Sequence, residues 1–392
     1  MERKYQIILY GATGFTGKLC AEYFKDNYPD LNWAIAGRNE NKLRELKEEL
    51  DLACDIFVAD SDDYEAIKSF VSQTKVVLSA AGPFARYSTK VVEACVECQS
   101  HYTDITGENH WVRGLIDRFH EKAALDGTRI VPSCGYDSIP SDLGVYFSVT
   151  RSKQPVSHVT VYHSAKGGAS GGTTETMFTM GPLPKEMRDP FLLNPKDSVS
   201  EVQKNKSTDD FSVKPIPGTD AFSGMGLMAF ANTRVVRRSA ALFDLNQKSY
   251  GSDFSFKELG SYPSKAAARI ASFALMSAFL VIATPLRHLV RPFLPKPGDG
   301  PNKEARDNGW FRGLFVANLE DGSEKRFEIF GSGDPGYKST SKMVCESALT
   351  LAFSEDLPFG SEFGGVLTSA VGLGDPLISR LMKAGITFEE LS

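Results

Sequence analysis

Three glycines in the segment Gly11-Ala12-Thr13-Gly14-Phe15-Thr16-Gly17 have the spacing of a dinucleotide-binding turn. The first glycine allows a sharp turn, the second lets the backbone approach a pyrophosphate, and the third lets a helix pack on the preceding strand. A helix that begins there offers unpaired N–H groups and a positive dipole end to phosphates. The segment is therefore predicted to hold a dinucleotide.

A cation follows the second predicted strand, where proteins that prefer NAD usually carry Asp or Glu. Arg38 occupies this position. A carboxylate would repel a 2′-phosphate, whereas a guanidinium can pair with it through two charge-assisted hydrogen bonds. We therefore expect NADP(H) as the cofactor; the alternative is that Arg38 is a solvated charge at a strand end. Asp60, at the end of the third strand, is predicted to contact the adenine side.

Small residues follow the fourth predicted strand, in Ala81-Gly82-Pro83-Phe84. Small side chains at the carboxyl end of a parallel strand leave space for a flat cofactor across the sheet edge. The ends of the first, second and fourth strands should meet at one crevice. Ala81, Gly82 and Pro83 are therefore predicted to line the cofactor site, the alternative being a plain turn.

Candidates for acid–base chemistry lie in the loop Gly135–Asp142, after the sixth predicted strand. Tyr136 is a candidate proton donor, Asp137 could orient it, and Ser138 could bind substrate. The alternative is structural: Tyr136 would be a core residue at a domain boundary, and Ser141 or Asp142 would cap the helix 143–149.

Lys166 is a second catalytic candidate, with a possible role in anion contact. Its spacing from Tyr162 is that of short-chain dehydrogenases, but the alternating pattern of residues 156–165 predicts a strand. The two side chains would then not share a helix face. Asp104 and Glu108, next to a strand end, are predicted to position other groups.

The elements that carry these residues alternate between short apolar runs and amphipathic segments in the first third of the chain. This order is typical of an α/β, Rossmann-type doubly wound parallel sheet. Helical periodicity is clear in residues 41–50, and Asp62 with Glu65 predicts the start of another helix. Six strands are predicted: Gln6–Tyr10, Trp33–Ala36, Ile56–Ala59, Val76–Ala80, Tyr102–Ile105 and Arg129–Pro132.

Composition excludes some classes of function. The chain has 392 residues and a formal charge of −5, without a basic run, so a nucleic-acid partner has little electrostatic basis. Six scattered cysteines favour reduced thiols, and the isolated Cys95-Val96-Glu97-Cys98 lies in a helical pattern, so no metal is expected. The start of the chain leaves no room for a secretory signal, and we expect an intracellular protein.

An uncharged, apolar stretch runs from Ile270 to Leu286. Arg269 precedes it, and Arg287, His288 and Arg291 follow it. An apolar helix flanked by cations favours an interfacial anchor beside anionic headgroups. We expect association with a membrane or lipid droplet; the alternatives are a buried core helix or a dimer contact in a soluble cytoplasmic protein.

Taken together, these motifs resemble the saccharopine dehydrogenase-like oxidoreductases, a family that includes trans-acting enoyl reductases and the eukaryotic saccharopine dehydrogenase-like protein. The similarity covers nearly the whole chain. Besides the segments above, it rests on Tyr102–Glu108, Cys134–Asp142, Gly168–Thr173, Lys296–Pro301, Gly333–Tyr337, Gly364–Ala370 and Ala384–Phe388.

The resemblance implies three parts of the chain. These are a dinucleotide-binding domain (residues 1–135), a second α+β domain for substrate or dimerisation (136–332, with the apolar segment 270–286), and a C-terminal segment (333–392) that possibly returns to the first domain. It also implies reduction of an enoyl or other lipid-like acyl substrate in lipid or glycolipid metabolism. A saccharopine-type amino-acid dehydrogenase and a non-catalytic lipid-surface protein stay open as alternatives, as does a homodimer.

Overall fold

The computed structural model describes residues 3–167, 185–282, 284, 286–291 and 300–392. Its strands form one sheet of seven strands and one of six. The predicted α/β class with a second, mixed domain is confirmed. The motif Gly168–Thr173 and residues 292–299 lie outside the described residues.

The first sheet is parallel throughout, so its strands all end at the same edge. Its strands are β1 (Tyr5–Tyr10), β2 (Trp33–Gly37), β3 (Asp55–Val58), β4 (Thr74–Ser79), β5 (His101–Asp104), β6 (Arg129–Val131) and β12 (Gly365–Val366). The spatial order is β12-β6-β5-β4-β1-β2-β3. Six of these strands were predicted to within two residues at each end, whereas β12 was not expected.

Helices cover both faces of this sheet, which is why β1 and β2 are almost wholly buried and apolar. On one face lie α1 (Phe15–Asn27) and α13 (Thr340–Phe353). On the other face lie α3 (Tyr64–Val71), α5 (Thr89–Cys98) and α6 (Asn109–Leu125). Two further helices of this part are α2 (Glu40–Glu49) and the short α4 (Phe84–Tyr87).

The second sheet is mixed and has the order β13-β11-β10-β7-β9-β8. Its strands are β7 (Val156–Lys166), β8 (Phe222–Gly224), β9 (Ser255–Tyr262), β10 (Trp310–Leu319), β11 (Glu324–Ser332) and β13 (Ile386–Leu391). Only the pair β7–β9 is parallel. The predicted strand containing Tyr162 and Lys166 is thus confirmed, and the two residues share no helix.

Helix α7 (Ile139–Ser152) packs on β10 and β11 and against α9 (Ala229–Leu245), and so joins the second sheet to the crevice of the first. The other described helices of the second part are α8 (Glu201–Lys206), α10 (Lys265–Ile282), α11 (Arg287–Val290) and α12 (Lys303–Asp307). The C-terminal part contains, besides α13, the helices α14 (Ser369–Gly372) and α15 (Gly374–Lys383).

The C-terminal part contributes to both sheets. Helix α13 packs on β1, β4 and β5, and β12 pairs with β6, whereas β13 pairs with β11. The domain boundaries themselves, residues 1–135, 136–332 and 333–392, stay a prediction.

Two predicted helix starts are wrong. Asp63, not Asp62, caps α3, and its side chain accepts a hydrogen bond from the backbone N–H of Ala66. Helix α7 begins at Ile139, so Ser141 and Asp142 lie in its first turn and are not its caps. Both side chains are used in buried contacts with other elements instead.

Candidate active site

The glycine turn after β1 lies directly against the turn after β4. Gly11 has a φ of +82°, and a Cβ on it would lie 2.7 Å from the backbone nitrogen of Ala81. A Cβ on Gly17 would lie 2.2 Å from the carbonyl oxygen of Gly11, so this residue must be glycine for α1 to pack. Thr13 and Gly14 remain exposed at the start of α1. The structure therefore brings Gly11–Gly17 and Ala81–Pro83 together, with the amino end of α1 open to a ligand.

Phe15 is contacted by residues from the second and the C-terminal parts of the chain. Its ring makes an edge contact with Tyr337 at 5.1 Å, and the guanidinium of Arg306 lies 5.6 Å from the ring centre. Thr16, the next residue of the turn, is half-buried. The loop around residues 300–306 thus reaches the candidate cofactor turn.

Arg38 and Asp60 lie at the same sheet edge, after β2 and β3, and both are exposed. One carboxylate oxygen of Asp60 accepts a hydrogen bond of 2.9 Å from the backbone of Asp62. The guanidinium of Arg38 lies 5.9 Å from the ring centre of Tyr87 on α4. The position of Arg38 fits a 2′-phosphate at the adenosine end of an extended dinucleotide.

Glu108 and Asp104 fix the turns of this edge. The two carboxylate oxygens of Glu108 accept hydrogen bonds from the backbone nitrogens of Phe84 (2.8 Å) and Ala85 (3.1 Å), which holds the start of α4. Asp104 accepts hydrogen bonds from the backbone of Thr106 and Ser133. Burial raises the pKa of Asp104 to about 7, although these hydrogen bonds act in the opposite direction. The hydrogen bonds give both residues a positioning role.

Tyr136 and Asp137 lie where the loop after β6 meets the second sheet. The backbone N–H of Tyr136 donates to the hydroxyl of Thr340, and the Tyr136 ring makes edge contacts with Phe311 (5.3 Å) and His163 (6.3 Å). A Cβ on Gly107 would lie 3.5 Å from a carboxylate oxygen of Asp137, which places Asp137 beside the loop after β5. Both residues therefore lie at the edge of the first sheet that also carries the cofactor turns.

Behind Tyr136 lies a buried polar network that the sequence analysis did not predict. Ser141 Oγ donates to Glu258 Oε2 at 2.7 Å and lies 2.9 Å from His163 Nε2. The amide of Asn232 donates to Glu258 Oε1 at 2.9 Å, and its oxygen accepts from Ser138 Oγ at 3.3 Å. The network joins α7, β7, β9 and α9.

The direction of these hydrogen bonds follows from their partners. If Ser141 donates its only proton to Glu258, then His163 must donate from Nε2 to Ser141. If Glu258 is protonated and donates to Ser141, the serine donates to His163 instead. A proton gained or lost at Glu258 thus reverses the chain of hydrogen bonds as far as His163.

Burial sets the protonation of these groups. Desolvation raises the pKa of Glu258 to about 7, against the hydrogen bonds from Ser141 and Asn232, and the nearby charge of Asp137 raises it further. Desolvation raises the pKa of Asp137 to about 6 and lowers that of His163 to about 4. It also raises the pKa of Tyr136, with contributions from Glu258 and Asp137. At neutral pH the site therefore holds a neutral imidazole, a protonated phenol and a carboxyl group poised to exchange a proton.

A sequence signal for two of these residues did exist. Val159 and Val161 are buried on one face of β7, and His163 continues the same alternation. Glu258 likewise follows Phe256 on the buried face of β9. A titratable residue at an inward strand position is expensive to bury, and so indicates a special role.

Other predicted residues lie apart from this network. Lys166 is exposed at the end of β7, and no described residue links it by a hydrogen bond to Glu258 or Tyr136. Asp142 accepts from the hydroxyls of Ser239 and Ser369 and from the backbone of Ala370. Asp142 therefore ties α7 to α9 and α14, which is a structural role.

A narrow cleft of about 10 Å³, the space of about one water molecule, has Glu258 in its wall. Its wall includes Asp210 and Lys257, which are partly exposed, and the rings of Phe211 and Phe230. Glu258 thus has the cleft on one side and the Ser141–His163 pair on the other.

Helix α10 presents an apolar surface next to this cleft. Ile270, Phe273 and Leu280 are 71%, 74% and 66% exposed, while Phe279 packs on Phe230 at 5.6 Å. Of the described helices, α10 alone has the length and apolar composition to cross a membrane. The core helix of a soluble protein can meet the same two criteria, but such a helix is mostly buried, whereas only 11% of α10 is buried. The exposure of α10 therefore excludes the alternative that this segment is a buried core helix.

Comparison with known proteins agrees with this architecture. The family model of the saccharopine dehydrogenase NADP binding domain matches residues 7–131. Two solved structures share the fold over the whole chain: apo saccharopine dehydrogenase (L-Glu forming) from Saccharomyces cerevisiae and homospermidine synthase from Legionella pneumophila in complex with NAD. The first has a TM-score of 0.54 at 11% identity and covers 99% of this chain and 100% of its own. The second has a TM-score of 0.53 at 8% identity, covering 100% and 92%.

Curated relatives match at higher identity. A protein of Mycobacterium tuberculosis that carries a provisional trans-acting enoyl reductase name is 35% identical over 416 residues, which covers 99% of this chain and 97% of that protein. The trans-acting enoyl reductase of Mycobacterium ulcerans is 34% identical, covering 98% and 97%. The chain therefore belongs to the saccharopine dehydrogenase-like family and is an NADP(H)-dependent oxidoreductase.

Proposed function

We propose that the protein uses NADPH to reduce an enoyl or other lipid-like acyl substrate, in lipid or glycolipid metabolism, at the surface of a membrane or lipid droplet. The observation that carries the proposal is the contact between Tyr136 and the network of Glu258, Ser141 and His163, at the sheet edge that also carries the glycine turns. The relatives named as enoyl reductases support the choice of reaction.

Cofactor binding is proposed to use three groups of residues. The backbone of Gly11, Thr13, Gly14, Phe15, Thr16 and Gly17 would hold the pyrophosphate at the amino end of α1. Arg38 would pair with the 2′-phosphate, and Asp60 would lie near the adenine. Ala81, Gly82 and Pro83 would line the path towards the nicotinamide. When bound, NADPH supplies a hydride to the β-carbon of the enoyl group.

The residues of the chain would supply the proton. Tyr136 keeps its proton at neutral pH because burial and two nearby carboxyl groups raise its pKa. It could give this proton to the enolate that hydride addition creates, since an enolate is a strong base. Asp137 would orient the substrate carbonyl or Tyr136. Lys166, exposed at the end of β7, is kept as a candidate anion contact at the rim.

The proton that Tyr136 loses would be replaced from Glu258. The narrow cleft beside Asp210 and Lys257, with space for about one water molecule, would admit solvent to Glu258. Ser141 connects Glu258 to His163, whose ring centre lies 6.3 Å from that of Tyr136. A carboxyl group with a pKa near 7 can both accept and release a proton at neutral pH.

Buried arginines argue against a substrate with several carboxylates. Arg129, Arg234, Arg237 and Arg238 are the buried candidates. Arg129, Arg237 and Arg238 donate to backbone carbonyl oxygens of the protein itself, and Arg234 pairs with Asp209. Arg129, for example, donates to Gly372, Pro358 and Gly360. These described arginines are committed to the fold, so an apolar acyl substrate fits better than saccharopine.

The exposed face of α10 supports a lipid surface as the place of reaction. Phe279 on this helix packs on Phe230, and Asn232, two residues further along α9, belongs to the buried network. A lipid surface bound at α10 would therefore lie next to α9, the helix that carries a residue of the network. Phe273→Asp with Leu280→Asp should release the protein from vesicles of anionic phospholipid, whereas Val202→Asp, at an exposed site on α8, should not. If the double variant still binds vesicles and forms monomers, the surface would not be lipid-binding; loss of a dimer would favour a contact between two copies.

The reaction is tested by following NADPH oxidation with long-chain trans-2-enoyl thioesters and, separately, NADP⁺ reduction with saccharopine. We expect turnover of the thioesters, lost in Tyr136→Phe while NADPH affinity is retained. Turnover of saccharopine alone would replace the proposal with the amino-acid dehydrogenase. NADPH binding without turnover of either class would favour a non-catalytic lipid-surface protein.

A further inference from the structure

We infer that Arg86 is a second cation for the 2′-phosphate of NADP(H), and that it forms with Arg38 a two-arginine site beside Tyr87. The guanidinium carbons of Arg38 and Arg86 lie 5.9 and 5.1 Å from the centre of the same Tyr87 ring. Arg38 follows β2 and Arg86 lies on α4, so two separate elements bring positive charge to one place.

Both arginines are exposed, and neither forms an ion pair with any described residue. Some other exposed cations of this part do: Lys4 pairs with Asp55, Arg44 with Glu40 and Arg118 with Glu93. Two guanidinium groups beside one ring, neither of them paired with a described carboxylate, could both bind the same anion. The arrangement is therefore suited to a dianionic phosphate.

The backbone that carries Arg86 is held in place. Glu108 accepts hydrogen bonds from the first two backbone nitrogens of α4, and Ser79 and Ser88 pair through their hydroxyls at 3.0 Å. The aromatic ring of Tyr87 then limits where both guanidinium planes can lie, since cations favour the face of a ring. The backbone of Arg86 is thus fixed before the ligand binds, while its exposed side chain can still turn to form two hydrogen bonds with a phosphate.

The chemistry selects a phosphate monoester next to an adenosine. Asp60 is an acidic residue at the same edge, and one of its carboxylate oxygens accepts a hydrogen bond from the backbone N–H of Asp62. It would repel a phosphate but accept a hydrogen bond from an adenine amino group. NADH, which has a 2′-hydroxyl there, would gain nothing from Arg86.

The test is a set of binding titrations with NADPH, NADH and adenosine 2′,5′-bisphosphate. Arg86→Ala should weaken NADPH and the bisphosphate about 10- to 100-fold, the range expected for a charge-assisted contact, and leave NADH unchanged. Arg86→Lys should lose less, because it keeps the charge but not the fork. Arg118→Ala, which removes another exposed arginine from α6, is the control.

Arg38→Ala and the double variant complete the test. If both arginines hold one phosphate, their effects on NADPH affinity should not add, and the dependence of affinity on salt should weaken with each removal. Unchanged NADPH affinity in Arg86→Ala, or equal losses for NADPH and NADH, would overturn the inference. Because binding is measured without substrate, the result does not depend on the proposed reaction.

Discussion

Glu258→Gln removes the titratable group at the centre of the buried network while keeping its shape. The glutamine oxygen can still accept from Asn232, and its amide can donate to Ser141, whose hydroxyl then donates to His163. Burial raises the pKa of Glu258 from 4.5 to about 7. The folded protein therefore binds a proton at this site more strongly than the unfolded chain does.

The sign and size of the effect follow from linkage. Because the pKa is raised in the folded state, Glu258 contributes stability at acidic pH that is lost as the pH rises to about 7. At about 1.4 kcal/mol per pKa unit, the full loss is about 3 kcal/mol. The buried histidines His101, His120, His158 and His163 have a lowered pKa and act in the opposite direction. Only the difference between wild type and variant therefore isolates Glu258.

The assay is urea unfolding of wild type and Glu258→Gln at about pH 5 and about pH 8. We expect the variant to gain, relative to wild type, about 2 to 3 kcal/mol in free energy of unfolding between the lower and the higher pH. Glu65→Gln, at the exposed start of α3, is the control for substitution as such. A difference between variant and wild type that is the same at both pH values would refute the assignment of a protonated Glu258 near neutral pH.

Two further predictions concern the turns and the packing of α7. Gly17→Ala should weaken NADPH binding at least about 10-fold, because its Cβ would meet the carbonyl oxygen of Gly11, whereas Gly114→Ala, where a Cβ meets nothing within 4 Å, should leave cofactor titrations unchanged. Equal behaviour of the two variants would contradict the packing argument. Asp142→Asn should lower the free energy of unfolding by about 2 to 3 kcal/mol, because an amide cannot accept all the hydrogen bonds from Ser239, Ser369 and Ala370. A loss below about 0.5 kcal/mol in urea unfolding would show that this contact does not hold α7 in place.

Local patterns predicted most of the first sheet because β1 to β4 are short, largely apolar runs followed by a turn or helix signal. Strand β12 consists of Gly365 and Val366 only, and two residues have no periodicity to detect. The helix α7 was predicted too short, because its first turn is packed with polar residues that are buried by tertiary contacts. Ser141 and Asp142 looked like caps for the same reason.

The cofactor turn could be predicted from the sequence because all its glycines lie within one βα unit. The network behind Tyr136 could not, because Ser141, His163, Asn232 and Glu258 come from four elements that only the fold brings together. Alternation along β7 and β9 marks His163 and Glu258 as inward residues, but it does not show that they meet. The sequence showed that the segment of α10 is apolar and uncharged from Ile270 onward. Its exposure could be known only from the packing around it.

The most direct test of the proposed reaction is an isotope experiment with a long-chain trans-2-enoyl thioester. With NADPH deuterated at the transferred position, the reduced product should carry deuterium at its β-carbon. In heavy water with unlabelled NADPH, it should carry deuterium at its α-carbon, and Tyr136→Phe should form neither product at a comparable rate. No reduced thioester from the wild-type protein, with NADPH bound and the thioester present at a vesicle surface, would contradict the proposed enoyl reduction.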